Sequence, residues 1–171
     1  YLPGSAAANV RAEAEGVLWA MASDAARPFG IRRPALDAYV ALAETRAARD
    51  RLVAVLGADS AAGEPVRDPL RWSIVDRLTV VDDARADSLL ARQARRDTTP
   101  DGRRRAFTIG AARPRASVKA DYFQRYFADA SLNEEWASGS LGGFNAIEHD
   151  TLTRPFLRPA LDSLPFIQKN R

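Results

Sequence analysis

The chain has no cysteine and a single histidine, His149. Without thiols it forms neither a disulfide nor a thiolate metal site, and cysteine nucleophiles are excluded. One imidazole is too few for a catalytic zinc site, which draws on two or three histidines or on cysteines in their place. The H-E-x-x-H pattern cannot be written with one histidine. A hydrolase triad would have to use His149 as its base, and no G-x-S-x-G elbow accompanies it. Long apolar runs are missing too. Arg, Asp or Glu interrupts each one well before the roughly 20 residues that span a bilayer. Lysine is scarce: only Lys119 and Lys169 stand among 25 basic residues. The lack of cysteine leaves the compartment undecided, with the cytoplasm slightly favoured and an exported parent left open. No signal or transit peptide is read at the start. That start is Tyr1 rather than Met, so further sequence is expected upstream.

What is present is the balance of a folded chain, 46% hydrophobic and 27% charged. Its 171 residues suit one helical domain over residues 1–171. The net charge of +3 is almost all arginine, and the joint abundance of Ala and Arg matches GC-rich coding. The charge is therefore discounted as a clue to function.

Apolar residues recur at helical spacing along nearly the whole chain. Over 9–22, Val10, Ala14, Val17, Leu18 and Met21 share a face. A turn at Arg27-Pro28-Phe29-Gly30 precedes a helix expected from Pro34, a residue suited to a first turn. Leu52, Val53 and Leu56 mark a helix over 46–56 that Gly57 is placed to stop. Residues 59–66 read as a loop. Asp68-Pro69 opens a helix carrying Trp72 and Val75. Another helix is expected over 82–96, and Thr98-Thr99-Pro100-Asp101 starts the next. Tyr122, Phe123, Tyr126 and Phe127 form an aromatic stripe. Ser131-Leu132-Asn133-Glu134 reads as a capping box, followed by Trp136, Leu141 and Phe144. A last helix is expected over 149–164. No segment alternates at period two over a useful length. Short loops make neighbouring helices antiparallel. The expected fold is all-α, with antiparallel helix pairs stacked as a HEAT/armadillo-like solenoid or superhelical array.

Three stretches carry a likeness: D-P-L-R-W-S-I-V-D-R-L over 68–78, A-R-Q-A-R-R-D-T-T-P-D-G-R-R-R-A-F over 91–107, and W-A-S-G-S-L-G-G-F-N-A-I-E-H-D-T-L-T-R-P-F-L-R-P-A-L-D-S-L-P-F-I-Q-K-N-R over 136–171. Together they resemble the C-terminal helical domain of bacterial aminopeptidase N-like enzymes, zinc aminopeptidases of the gluzincin family. The likeness covers about two-thirds of the chain and is closest over 141–171. Its motifs are packing motifs. It implies a helical domain that caps the catalytic cavity, limits peptide access and lines part of the chamber. Family members usually continue past the position of Arg171, so both ends are expected to be trimmed. The zinc of such enzymes sits in a separate thermolysin-like domain, with H-E-x-x-H, a distant Glu and a G-x-M-E-N-type segment. None of these occurs here, so no catalytic or metal residue carries over. No cofactor is expected in this chain, and zinc only in the parent's catalytic domain. The partners implied are that domain and peptide substrates, with neither nucleic acid nor membrane.

Tyr122, Tyr126, Asn145 and His149 are the candidate cavity-lining residues. Each has a plainer reading. The aromatic stripe suits a core, and Asn145 suits a helix end. Glu148-His149-Asp150 suits a helix start, where acids are favoured. Gly139, Gly142 and Gly143 fit no phosphate-loop spacing and read as close helix packing. Trp19, Trp72 and Trp136 read as core or interdomain anchors. Eight arginines over 92–115 read as solvated helix faces rather than a nucleic-acid site. A freestanding helical-repeat scaffold that binds a protein or peptide is the alternative, and a basic nucleic-acid-binding domain a lesser one. For the scaffold, Tyr1-Leu2-Pro3 and Lys169-Asn170-Arg171 do not resemble polar capping ends.

Overall fold

A computed structural model describes residues 4–129 and 131–170, with side chains described from 6 to 164. The two terminal tripeptides named above fall wholly or in their side chains outside those residues. Helix accounts for 77% of the chain, about twice the share in an average globular protein. That decides for the all-α class. One domain is expected over 1–171; the chain divides into two compact units, residues 1–78 and 79–171.

The first unit comprises α1 (Gly4–Ser23), α2 (Phe29–Leu42), α3 (Arg46–Ala58), a hairpin of β1 (Ser60–Ala61) and β2 (Glu64–Pro65), and most of α4 (Asp68–Val80). α1 and α2 run antiparallel. Arg11 and Glu15 meet Glu44 and Thr45 just past the end of α2, while Arg32 near its start reaches the Ala22 carbonyl. The core is made by Leu36, Tyr39 and Val40 of α2, Leu52, Val55 and Leu56 of α3, and Trp72, Ile74, Val75 and Leu78 of α4. Each large side chain removed from water contributes about 1.5–3 kcal/mol. Trp19 is half-buried, 5.0 Å from the Tyr39 ring and 5.6 Å from the Arg51 guanidinium.

Glu15 is the unusual member of this core, a carboxylate only 3% exposed. It accepts from the Glu44 N–H at 2.7 Å, the Thr45 N–H at 3.0 Å and the Thr45 hydroxyl. Thr45 is also the N-cap of α3, accepting from the Ala48 N–H at 3.2 Å. A side chain of α1 thus supplies the negative charge that the N-terminus of α3 favours. Burial pushes the Glu15 carboxyl up. The bonds from Thr45 and Glu44, helped by the Arg11 charge, outweigh it and hold the group below the usual carboxylate range.

The α1 face expected from periodicity is divided. Glu15, Leu18, Trp19 and Ala22 lie at least partly inside, while Val10, Val17 and Met21 are 50–55% exposed. Pro34 lies inside α2 rather than in its first turn, because Pro28 precedes the first helical residue. α3 ends on Asp59 at φ 53°, not on Gly57. Aspartate is among the few residues that tolerate left-handed backbone. The expected loop over 59–66 holds the β1–β2 hairpin, whose turn has positive φ at both Ala62 and Gly63.

The second unit holds α5 (Ala86–Arg96), α6 (Pro100–Gly110), α7 (Ala116–Ala128), α8 (Glu134–Phe144), a 3₁₀ turn (Ile147–His149), α9 (Asp150–Thr153), a second 3₁₀ turn (Arg154–Phe156) and α10 (Leu157–Asn170). α5 starts four residues later than expected. Asp82 takes φ 51°, and the Asp83 carboxylate binds the Arg85 N–H and guanidinium at 3.0, 2.8 and 2.9 Å. Thr99 caps α6 by accepting from Gly102 N–H at 3.0 Å, with Pro100 at the first position, as its sequence signals. The capping box at 131–134 does not form. Asn133 caps α8 through the Glu135 N–H at 2.7 Å, while Ser131 bonds back to Asp129. The last expected helix is broken into α9 and α10 around Pro155, which cannot donate to an internal helical bond.

α6 and α8 pack closely through small residues. A Cβ added to Gly143 would meet the Ala112 side chain at 3.1 Å and the Thr108 carbonyl at 3.3 Å, whereas one at Gly142 would meet nothing within 4 Å. Gly142→Ala is therefore expected to stabilise the unit by about 0.5–1 kcal/mol, from helix propensity alone. Gly143→Ala is expected to cost about 1 kcal/mol net, because forced separation outweighs the same propensity gain. Paired chemical denaturation curves read the difference. Equal effects of the two variants would refute close packing as the role of Gly143.

Candidate functional site

The aromatic stripe of α7 is one part of a continuous series of rings. Trp136 lies 5.4 Å from Phe107, Phe107 4.9 Å from Tyr122, and Tyr122 6.2 Å from Tyr126. Tyr126 lies 5.6 Å from Phe144, which lies 5.8 Å from Phe156. Phe123 then joins Phe156 at 4.9 Å and Phe127 at 4.8 Å. Tilted, edge-on and stacked contacts of this kind add to the burial of each ring.

Part of this series opens to a surface groove of about 510 Å³ between α7, α8 and the α9–α10 segment. Phe123, Tyr126, Phe127, Phe144 and Phe156 line it, with Leu141 and Leu157 also on its wall. Its polar members are Tyr126, Asn145, Asp150, Thr153 and Arg154, and each is already bonded within the unit. Tyr126 shares a 2.8 Å bond with Ser140, and Asn145 donates to the Leu141 carbonyl at 3.1 Å. Thr153 donates to the Asp150 carbonyl at 3.3 Å, and Arg154 to the Asp150 carboxylate at 2.9 Å.

Of the four candidate residues, Tyr126 and Asn145 lie on this groove. Tyr122 is buried beneath it and donates to the Phe107 carbonyl at 2.7 Å, and burial pushes its hydroxyl up to about 12. His149 is 7% exposed and donates from Nε2 to the Val80 carbonyl at 2.7 Å. The groove therefore joins two of the four.

Beneath the groove lies Lys119, fully buried. Its ammonium donates to the Ala111 carbonyl at 2.6 Å, the Phe144 carbonyl at 2.9 Å and the Gly143 carbonyl at 3.2 Å. These carbonyls close α6 and α8, where helix dipoles place negative charge. The ammonium also sits 5.3 Å from the Phe144 ring centre. Burial lowers its pKa to about 8. Sequence reading passed over this residue, although its place three before Tyr122 and four before Phe123 sets it on the aromatic face.

In the arginine-rich stretch, Asp101 holds Arg104 and Arg105, while Asp87 holds Arg113 and Arg115 at 2.5 and 2.7 Å. The bond from Arg113, then that from Arg115, keeps the Asp87 carboxyl below its ordinary range against the opposing effect of burial. In the first unit a groove of about 640 Å³ has an apolar floor including Phe29, Leu36, Val40 and Leu70, with Arg33, Asp37, Glu64 and Arg67 along it.

Among the described residues no group of three or more His, Cys, Asp or Glu side chains could hold a metal ion. No helix among them is long and apolar enough to cross a membrane. No known protein family matches the sequence, and no curated protein is significantly similar to it.

Proposed function

We propose that the chain is the non-catalytic C-terminal helical domain of a zinc-dependent aminopeptidase. It caps the catalytic cavity and limits which peptides enter, with its helices stacked as a solenoid against the rest of the polypeptide. The parent removes N-terminal residues by attack of zinc-activated water, and this chain supplies neither metal nor base. The likeness over 68–78, 91–107 and 136–171 supports this reading.

One observation carries it furthest. α1 turns Val10, Val17 and Met21 outward, 55%, 54% and 50% exposed, with Ala14 between them. Their spacing of four, three and four forms a continuous ridge on one side of the helix. Such a ridge supports docking of α1 against another apolar surface. A freestanding array would present polar outer faces instead. Arginine pairing with Asp87 and Asp101 further weighs against a converging basic face for nucleic acid.

Calorimetric titration of this chain against the zinc-bearing part of its polypeptide tests the docking. Saturable binding is expected, weakened about tenfold by Val17→Ser, the scale set by losing one buried aliphatic side chain. Binding unaffected by Val17→Ser and Met21→Ser would remove the ridge as its basis.

A further inference from the structure

The composition of α1 and its placement disagree. Its inner side carries two charged residues one turn apart, Arg11 and Glu15, while Val10, Val17 and Met21 face outward. An amphipathic helix ordinarily does the reverse. Ala14 and Leu18 lie between the two sides and are partly buried, so the apolar surface runs unbroken from the outward ridge to the inner face. Turning α1 by roughly a quarter turn about its axis would bring that surface inward and carry Glu15 toward water.

What opposes the turn is polar and concentrated at one place, the connection between α2 and α3. Arg11 donates to the Glu44 carboxylate at 2.6 Å. Glu15 accepts from the Glu44 and Thr45 N–H groups at 2.7 and 3.0 Å and from the Thr45 hydroxyl. Arg77 of α4 holds the same connection, through the Ala43 carbonyl at 2.8 Å and the Glu44 carboxylate at 3.5 Å. A buried carboxylate is tolerated only while such bonds are made. Once they are lost, desolvation of Glu15 and exposure of the ridge both favour the turn. Trp19, partly buried and 5.0 Å from the Tyr39 ring, would move outward with the helix and so marks its position.

We propose that α1 is a two-position helix and that Arg11 and Glu15 are its latch. Latched, it presents Val10, Val17 and Met21 to a partner. Released, it turns this ridge inward against α2 and withdraws it. A partner that binds the ridge pulls α1 toward the latched position, through its preference for that position alone. Both positions belong to this chain, whatever reaction its polypeptide serves.

The chain has a single methionine, so the Met21 methyl gives one NMR resonance from the ridge itself. The test is the broadening of that resonance by a soluble nitroxide in the whole chain, in Glu15→Ala and in Glu15→Gln. The ring signals of buried Trp72 report that the core of the first unit is intact. Broadening is expected to fall severalfold in Glu15→Ala, and by less in Glu15→Gln, whose amide oxygen still accepts. The Trp19 indole signal should shift in step. Adding Val17→Asp places on the ridge a charge that resists burial, and is expected to restore the broadening of the unaltered chain. Should Glu15→Ala lose the Trp72 signals, Glu15→Gln decides alone. Met21 broadened equally in the folded variants and the unaltered chain would overturn the two-position helix. So would shielding that survives Val17→Asp, or shielding that grows with protein concentration, which would mean that a second copy covers the ridge.

Discussion

Replacing Lys119 by Met is expected to destabilise the second unit by about 2–4 kcal/mol. The buried ammonium answers three carbonyls at the ends of α6 and α8. Methionine fills a similar volume but donates nothing; the Gly143 carbonyl keeps the Ala146 N–H at 3.3 Å, while those of Ala111 and Phe144 lose their donor at about 1–3 kcal/mol each. Removing a buried cation recovers some desolvation, which keeps the expected loss below the upper end for two orphaned carbonyls. The protons give a second signature. Folded, the ammonium titrates near pH 8; unfolded, a lysine titrates at about 10.4. Between these values the unfolded chain holds more protons, so stability rises with pH across that window. Tyr122 acts in the opposite sense, but mainly above about pH 10, where an unfolded tyrosine is half ionised. Residue-resolved amide exchange in α7 at pH 8 and pH 9.5 should therefore show slower opening at the higher pH, after correction for intrinsic exchange. In Lys119→Met that gain should vanish. A variant as stable as the parent chain, with the same pH profile, would show that the lysine does not join the two helix ends.

Glu15→Ala is expected to cost the first unit about 2–3 kcal/mol. It removes a carboxylate that accepts two backbone N–H groups and a hydroxyl at the start of α3. Those N–H groups are left without a partner in a place where Glu15 itself is nearly inaccessible. The sign of the pH effect follows from the lowered pKa. The unfolded carboxyl takes up a proton at higher pH than the folded one, so this contribution is present above the unfolded value and fades as pH falls through the folded one. Glu15→Gln should retain part of the stability, since an amide oxygen still accepts. It should lose the acid-dependent part. Denaturation midpoints of the three proteins at neutral and acid pH give the comparison. Parallel loss in all three as pH falls would place the acid sensitivity elsewhere.

Much of the helical content was legible because helical periodicity and the Thr99-Pro100 start are local signals. Several errors lie where one local signal displaces another close by in the chain. Ser131 looks like a cap for α8, but Asp129 captures it and Asn133 does the capping. Gly57 looks like a terminator, yet Asp59 takes the left-handed position. The α1 face was legible as a stripe, but its direction was not. Periodicity cannot tell that buried Glu15 would draw the opposite side of the helix inward. In the groove, Tyr126 and Asn145 were singled out from sequence, whereas Phe156 and Leu157 read as members of an unbroken helix. Pro155 breaks that helix and turns Leu157 outward.

The most direct measurement is hydrolysis of a chromogenic aminoacyl substrate and of a peptide length series. Three samples are compared: this chain, the zinc-bearing remainder of its polypeptide, and the two mixed. The account predicts no turnover from the chain alone and, on mixing, a changed rate or changed peptide-length preference of the zinc-bearing part. Zinc-dependent turnover by the chain alone, or a mixture indistinguishable from the remainder by itself, would contradict it.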